Sequence, residues 1–177
     1  MVRFILALCT ASLLFGAGSL SNRRAPGFSL MDSNGQQHDL YDYRGSIVLL
    51  DFMQTNCPHC LKFKKVLEQV KAKYGSRVMI LSVVNPPDNP KTVAKFIQDV
   101  KPSNPILFDS GQMAISYFKA TPANPSIDLP HLFIIDESGW IVSDYGYTPA
   151  TLRIFEGASL FNELDRLLAA KPATPRR

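Results

Sequence analysis

Two cysteines, Cys57 and Cys60, stand two residues apart around Pro58 and His59. Sulfurs at that spacing can close into a disulfide or open to two thiols, which is the chemistry of disulfide exchange. They fall where an apolar, strand-like run, Ile47 to Phe52, gives way to a helix-like run beginning near Leu61. Free amides and the positive dipole end at a helix start stabilise a thiolate there. Cys57, nearer the surface, is therefore the expected nucleophile, and Cys60, one turn further in, the resolving thiol. His59 lies between them. As an imidazolium it would lower the pKa of Cys57 below the free value of about 8.5 and bias the couple toward oxidising others; as a plain spacer it would only face solvent.

A leader is expected over residues 1–21. Arg3 gives a positive start, Phe4 to Phe15 an apolar stretch, and Ala17, Gly18 and Ser19 a small-residue cleavage region. The alternative is an uncleaved anchor, since Phe4 to Leu20 approaches the roughly 17 residues needed to span a bilayer. Arg23 and Arg24 follow at once, an awkward place for charges that should cross a membrane. The mature chain is expected outside the cytoplasm, in the periplasm or its equivalent, and on a membrane only if the leader stays. Cys9 lies inside the apolar stretch, so removing the leader leaves Cys57 and Cys60 alone. A bridge over two residues constrains the unfolded chain little, so its value is chemical.

The remainder suits one monomeric domain, residues 22–170, with a polar, disordered tail at 171–177. The chain has 177 residues, 46% of them apolar and 19% charged, an ordinary globular composition. A net charge of +4 without a basic tract interleaved with aromatics argues against nucleic acid as a partner. Phe28 to Met31 and Gln37 to Leu40, around Asn34 and Gly35, predict a hairpin, and Ser46 to Phe52 a buried strand. In the helix that follows, Phe63, Val66, Leu67, Val70 and Tyr74 share one face, leaving Lys62, Lys64, Lys65, Lys71 and Lys73 to solvent. Val78 to Val84 predicts a strand, Lys91 to Val100 a helix, Ile106 to Phe108 a short strand and Gln112 to Lys119 a short helix. Thr121 to Leu129 is expected as irregular loop. His131 to Asp136 and Trp140 to Tyr145 predict an antiparallel hairpin, and Ser159 to Ala170 a final helix burying Leu160, Leu164, Leu167 and Leu168. The fold class is α/β, a mixed sheet flanked by helices, with an N-terminal hairpin and a central helix-strand insertion.

Four stretches together resemble the thioredoxin superfamily, and most closely its exported TlpA-like and ResA-like thiol-disulfide oxidoreductases. They are Ala25 to Phe28, Ile47 to Cys60, Val78 to Phe108, and Leu129 to Asp136. The resemblance implies a thioredoxin fold and a redox-active pair working on protein thiols and disulfides, with a redox donor or acceptor as second partner and no cofactor. It implies that Pro130 is a cis-proline opposite the cysteines, whose flanking backbone can pair with an extended peptide; without it, Pro130 would read as a proline opening a strand. It also places Asp51, six residues before Cys57, where thioredoxins carry a buried acid. An apolar setting would hold its proton and suit it to take one from Cys60; otherwise backbone amides satisfy it at an edge. The chain departs from the family in a polar lip, Met53, Gln54, Thr55 and Asn56, where an aromatic approach is usual, and in His131 after the proline.

Two other functions share the fold. Cys57, Cys60 and His131 would make a sulfur and imidazole set suited to copper, as in Sco-like chaperones, although those space their cysteines by three residues. A peroxiredoxin would carry a Pro-x-x-x-Thr-x-x-Cys pattern, but position 54, three before Cys57, is Gln and no proline precedes it.

Overall fold

β4, residues Ile47–Met53, is apolar at every position but one and is buried at all seven. A strand of that composition suits the middle of a sheet covered on both faces. The computed structural model describes residues 18–123 and 127–170. The leader expectation lies outside them apart from residues 18–21, as do the tail at 171–177 and residues 124–126 of the expected loop.

The chain order is β1 (Arg23–Arg24), β2 (Ser29–Met31), β3 (Gln37–Asp39), β4, α1 (Pro58–Tyr74), β5 (Val78–Val84), α2 (Pro90–Val100) and β6 (Ile106–Phe108). It continues through α3 (Gln112–Phe118), β7 (His131–Ile135), β8 (Trp140–Gly146), α4 (Leu152–Phe155) and α5 (Ala158–Ala169). Six strands form one sheet in the order β1-β8-β7-β4-β5-β6, and β2 with β3 is a separate hairpin. β4, β5 and β6 run parallel, joined by α1 and α2 as crossovers; β7 pairs antiparallel with β4 and with β8. This is the α/β architecture expected, with its hairpin and its helix-strand insertion. Two elements were not anticipated, β1, which pairs with β8, and the one-turn α4.

Alternation along β4 sorts the core into two layers. Ile47 and Leu49 face α1 and α5, meeting Phe63, Leu67, Val70, Leu160 and Leu164. Val48, Leu50 and Phe52 face the other way, toward Leu107 and the α3 residues Met113 and Tyr117. A third cluster closes the end of the sheet that carries the cysteines, where Met53, Cys60 and Val84 meet Val93 and Phe96 of α2. Met53, expected on a polar lip, is core. Lys64, expected in solvent, is 1% exposed. It lies four residues after buried Cys60, on the same helical stripe, and that stripe faces the sheet.

The N-terminal segment is tied down by polar contacts. Arg23 donates to the carbonyls of Leu20, Ser116 and Tyr117, so its guanidinium serves the open C-terminal end of α3. The buried Tyr117 hydroxyl donates to the Pro26 carbonyl at 2.7 Å. Among the described residues, no helix is long and apolar enough to cross a membrane.

Phe52 is the hub of the second layer, within 4.8 to 6.0 Å of the rings of Tyr117, Phe118 and Phe133. Phe52→Ala is expected to destabilise the domain by about 3–5 kcal/mol in urea unfolding. Ile115→Ala, at a side chain 67% exposed, should stay within about 0.5 kcal/mol of the parent.

Candidate active site

Cys57 is the N-cap of α1, and its sulfur accepts the amide of Cys60 at 3.2 Å. Pro58 follows at the first helical position, where its fixed φ is already helical and its missing N–H removes nothing. The local sequence thus starts the helix at the cysteine and aims a donor at its sulfur. Cys57 and Cys60 are joined as a disulfide, with Cα atoms 5.2 Å apart. Cys57 is partly exposed and Cys60 is buried.

The turn before Cys57 is held from the insertion. Asp88 accepts from the Thr55 amide at 2.9 Å, from the Thr55 hydroxyl, and from the Thr92 hydroxyl at 2.8 Å. One carboxylate therefore ties the approach to the cysteines to the start of α2. Nothing in the sequence pattern singled out Asp88, because its partner is 33 residues away.

Asp51 lies inside the sheet on the α1 face, one alternation before Met53, which packs with Cys60. It is 2% exposed. One carboxylate oxygen accepts the Ser82 hydroxyl at 2.9 Å, and the other is buried without a hydrogen-bond partner. Desolvation pushes its pKa up to about 6, against the opposing pull of the Lys64 charge and the Ser82 hydrogen bond. The alternative of an edge aspartate satisfied by backbone amides is set aside by this geometry. Asn104 donates in turn to Ser82 at 3.1 Å.

Lys64 completes the polar layer. Its ammonium is 3.3 Å from a Glu68 carboxylate oxygen. Burial lowers its pKa, while Asp51 and Glu68 pull the other way. Glu68 is half open to solvent and accepts the amide of Ser103 at 3.1 Å, along with its hydroxyl. Below the disulfide, then, a buried acid and a buried base share an apolar face, and the second reaches the surface through Glu68.

The Leu129–Pro130 peptide bond is cis, and His131 follows at the start of β7. His131 pairs with Phe52 on one side and Gly146 on the other. Its ring sits 4.7 Å from both Phe118 and Phe133. Those residues form the layer on the face of the sheet opposite α1, so His131 does not converge with Cys57 and Cys60. The copper set is corrected accordingly: alternation along β7 turns His131 away from the helix that carries the cysteines. Among the described residues, no three His, Cys, Asp or Glu side chains gather to hold a metal. Burial pulls the pKa of His131 down to about 4, so near neutrality its imidazole is uncharged, with its Nε2 3.8 Å from Asp144.

His59 is exposed, and its ring stacks on Tyr147 with centroids 4.3 Å apart and planes 28° from parallel. Tyr147 follows Gly146, whose partner in the ladder is His131. Tyr147 therefore stands level with Pro130 on the neighbouring strand. Sequence spacing gave no sign of Tyr147, since 88 positions separate it from His59.

The chain is 31% identical over 118 residues to the thiol-disulfide oxidoreductase ResA of Geobacillus thermodenitrificans, a match covering 65% of this chain and 63% of that protein. It thus spans less than two thirds of that relative's length. An exposed lipoprotein thioredoxin of Streptococcus pneumoniae superposes with a TM-score of 0.65 at 23% identity, covering 80% of this chain and 100% of the other. A SCO1/SenC family lipoprotein of Bacillus anthracis gives 0.62 at 22% identity, covering 83% and 96%. These likenesses show a thioredoxin fold. Residues 22–143 match the model of the AhpC/TSA family, and the chain belongs to that family.

Proposed function

We propose that the chain is a thiol-disulfide oxidoreductase that exchanges protein disulfides through Cys57 and Cys60 outside the cytoplasm. The observation that carries this reading is the Cys57 sulfur at the N-cap of α1 accepting the Cys60 amide, with Cys57 partly exposed and Cys60 buried behind it. The name of the ResA relatives supports it, as does, for the location, the leader expected from the sequence of residues 1–21.

Starting from the reduced pair, the Cys57 thiolate attacks one sulfur of a substrate disulfide. A mixed disulfide forms and the first substrate thiolate leaves. The Cys60 thiol then gives its proton to Asp51 and attacks the Cys57 sulfur. The second substrate thiolate leaves and the Cys57–Cys60 disulfide remains. Two electrons have passed to the substrate; run backwards, the same steps oxidise a substrate dithiol. Asp51 suits the proton step because desolvation brings it near neutrality and one of its oxygens is left unpartnered. Lys64 tempers that effect, since its charge lowers what burial raises. The backbone at Pro130 offers the edge where an extended substrate chain pairs. A peroxidase reading is less favoured, since the residue three before Cys57 is Gln54 and not the expected threonine.

Cys57→Ser is expected to abolish insulin reduction and thiol oxidation, and Cys60→Ser to accumulate mixed disulfides with substrate on non-reducing gels. Full activity in Cys57→Ser would sink the proposal.

Asp51 also makes a stability prediction. Its folded pKa of about 6 exceeds the unfolded value of about 3.9. Between those values the folded chain keeps a proton that the unfolded chain has released, so stability falls as pH rises through the window. Above pH ~6 the cost is complete, about 1–3 kcal/mol at ~1.4 kcal/mol per unit. Asp51→Asn should therefore be more stable than the parent in urea at pH 7 by that amount, and close to it at pH 4. The same variant should resolve mixed disulfides more slowly. Equal stabilities at both pH values would remove Asp51 as a desolvated acid.

A further inference from the structure

We propose that Tyr147 is a positioning residue for the cysteine chemistry, acting through His59 to favour the reduced Cys57 thiolate. This rests on the exchange reading of Cys57 and Cys60 and deepens it. Two independent features support the assignment, one in the ring contacts and one in the backbone.

The rings form a continuous stack from the active site to the core. His59 lies on Tyr147 at 4.3 Å, Tyr147 meets Phe155 edge-on at 5.3 Å, and Phe155 meets Phe63 of α1 edge-on at 4.9 Å. Phe63 and Phe155 are buried. An exposed imidazole in the CxxC spacer is thereby braced against the hydrophobic core of the helix that carries it.

The backbone on both sides of Tyr147 is fixed. The Thr151 hydroxyl donates to the Gly146 carbonyl at 2.6 Å, and the Thr148 amide donates to the Thr151 hydroxyl oxygen at 2.9 Å. Gly146 pairs with His131 in the ladder. The segment around Tyr147 therefore has little freedom to swing away from the cysteines, and the ring is presented to His59 by construction.

The physical consequence has a definite sign. The face of an aromatic ring carries partial negative charge and attracts a cation stacked on it. Tyr147 therefore holds the His59 imidazole in place beside the helix start, on a face that accepts a cation. A positive charge beside the helix start stabilises the Cys57 thiolate and hence the reduced pair. Removing the ring face should shift the couple toward the disulfide.

The test uses the purified full chain with four variants. Tyr147→Leu keeps apolar contact with Phe155 and gives up the ring face, whereas Tyr147→Phe keeps both. His59→Ala and the His59→Ala, Tyr147→Leu double variant close the cycle. The readouts at pH 7 are the equilibrium constant against glutathione and the rate of Cys57 alkylation by iodoacetamide, followed by peptide mass. Tyr147→Leu should move the equilibrium toward the disulfide by about two- to fivefold and slow alkylation in the same sense. Tyr147→Phe should match the parent, and Tyr147→Leu should add nothing in the His59→Ala background. An unchanged equilibrium in Tyr147→Leu overturns the inference, as does an equal shift with and without His59. A parent protein whose cysteines exchange with no disulfide at all overturns the exchange reading, and this inference with it.

Discussion

The structure depends on a carboxylate being kept inside the sheet. Asp51 occupies a central strand that is buried on both faces and paired on both edges, a place where an isolated ionised acid is strongly disfavoured. Three things make it tolerable. Ser82 satisfies one oxygen, Lys64 supplies an opposite charge from α1, and protonation up to about pH 6 removes the charge altogether. The neighbours follow from this. Ser82 interrupts an otherwise apolar β5, Asn104 orients Ser82, and a lysine sits on a helical stripe that ought to be apolar. An apolar replacement at these positions would fill the core more cheaply. Their presence beneath Cys60 is what ties the interior of this fold to chemistry at its edge.

The sequence made most of the fold readable because its signals are local. β4 and β5 are continuous apolar runs, β7 and β8 flank a Gly139 turn, and Cys57 with Pro58 marks a helix start on its own. Where the reading failed, a distant partner had decided the outcome. Lys64 reads as a surface lysine until Asp51 and Glu68 are placed beside it, although its spacing from Cys60 was a usable clue: four residues on a helix share a face. Met53 reads as lip because it precedes polar residues, yet the last residue of a buried strand still alternates inward. β1 is two arginines, a composition with no strand signal, and it pairs only because β8 offers an edge. His131 reads as a ligand until β7 is given a register, and alternation then turns its ring to the far face.

Arg23 illustrates how one residue carries two incompatible readings. Next to an apolar leader its charge looks like an obstacle to export. In the fold it donates to three carbonyls, two of them at the open end of α3, and that helix supplies Tyr117 and Phe118 to the aromatic cluster around Phe52. The charge is retained because the last turn of a helix needs donors that its own backbone cannot provide.

The two cysteines are served from opposite sides by different physics. Cys60 is buried, and the groups beneath it act by desolvation: Asp51 is shifted because water is absent, and its partners are spaced to moderate that shift. Cys57 is half exposed, and the groups around it act by orientation: the Cys60 amide points at its sulfur, Asp88 holds the preceding turn, and His59 is fixed by a ring rather than by an ion pair. Screening by solvent weakens charge effects at the surface and leaves those in the interior strong. The environment of Cys60 is therefore set mainly by the core, and that of Cys57 by the rim, where His59 lies stacked on Tyr147.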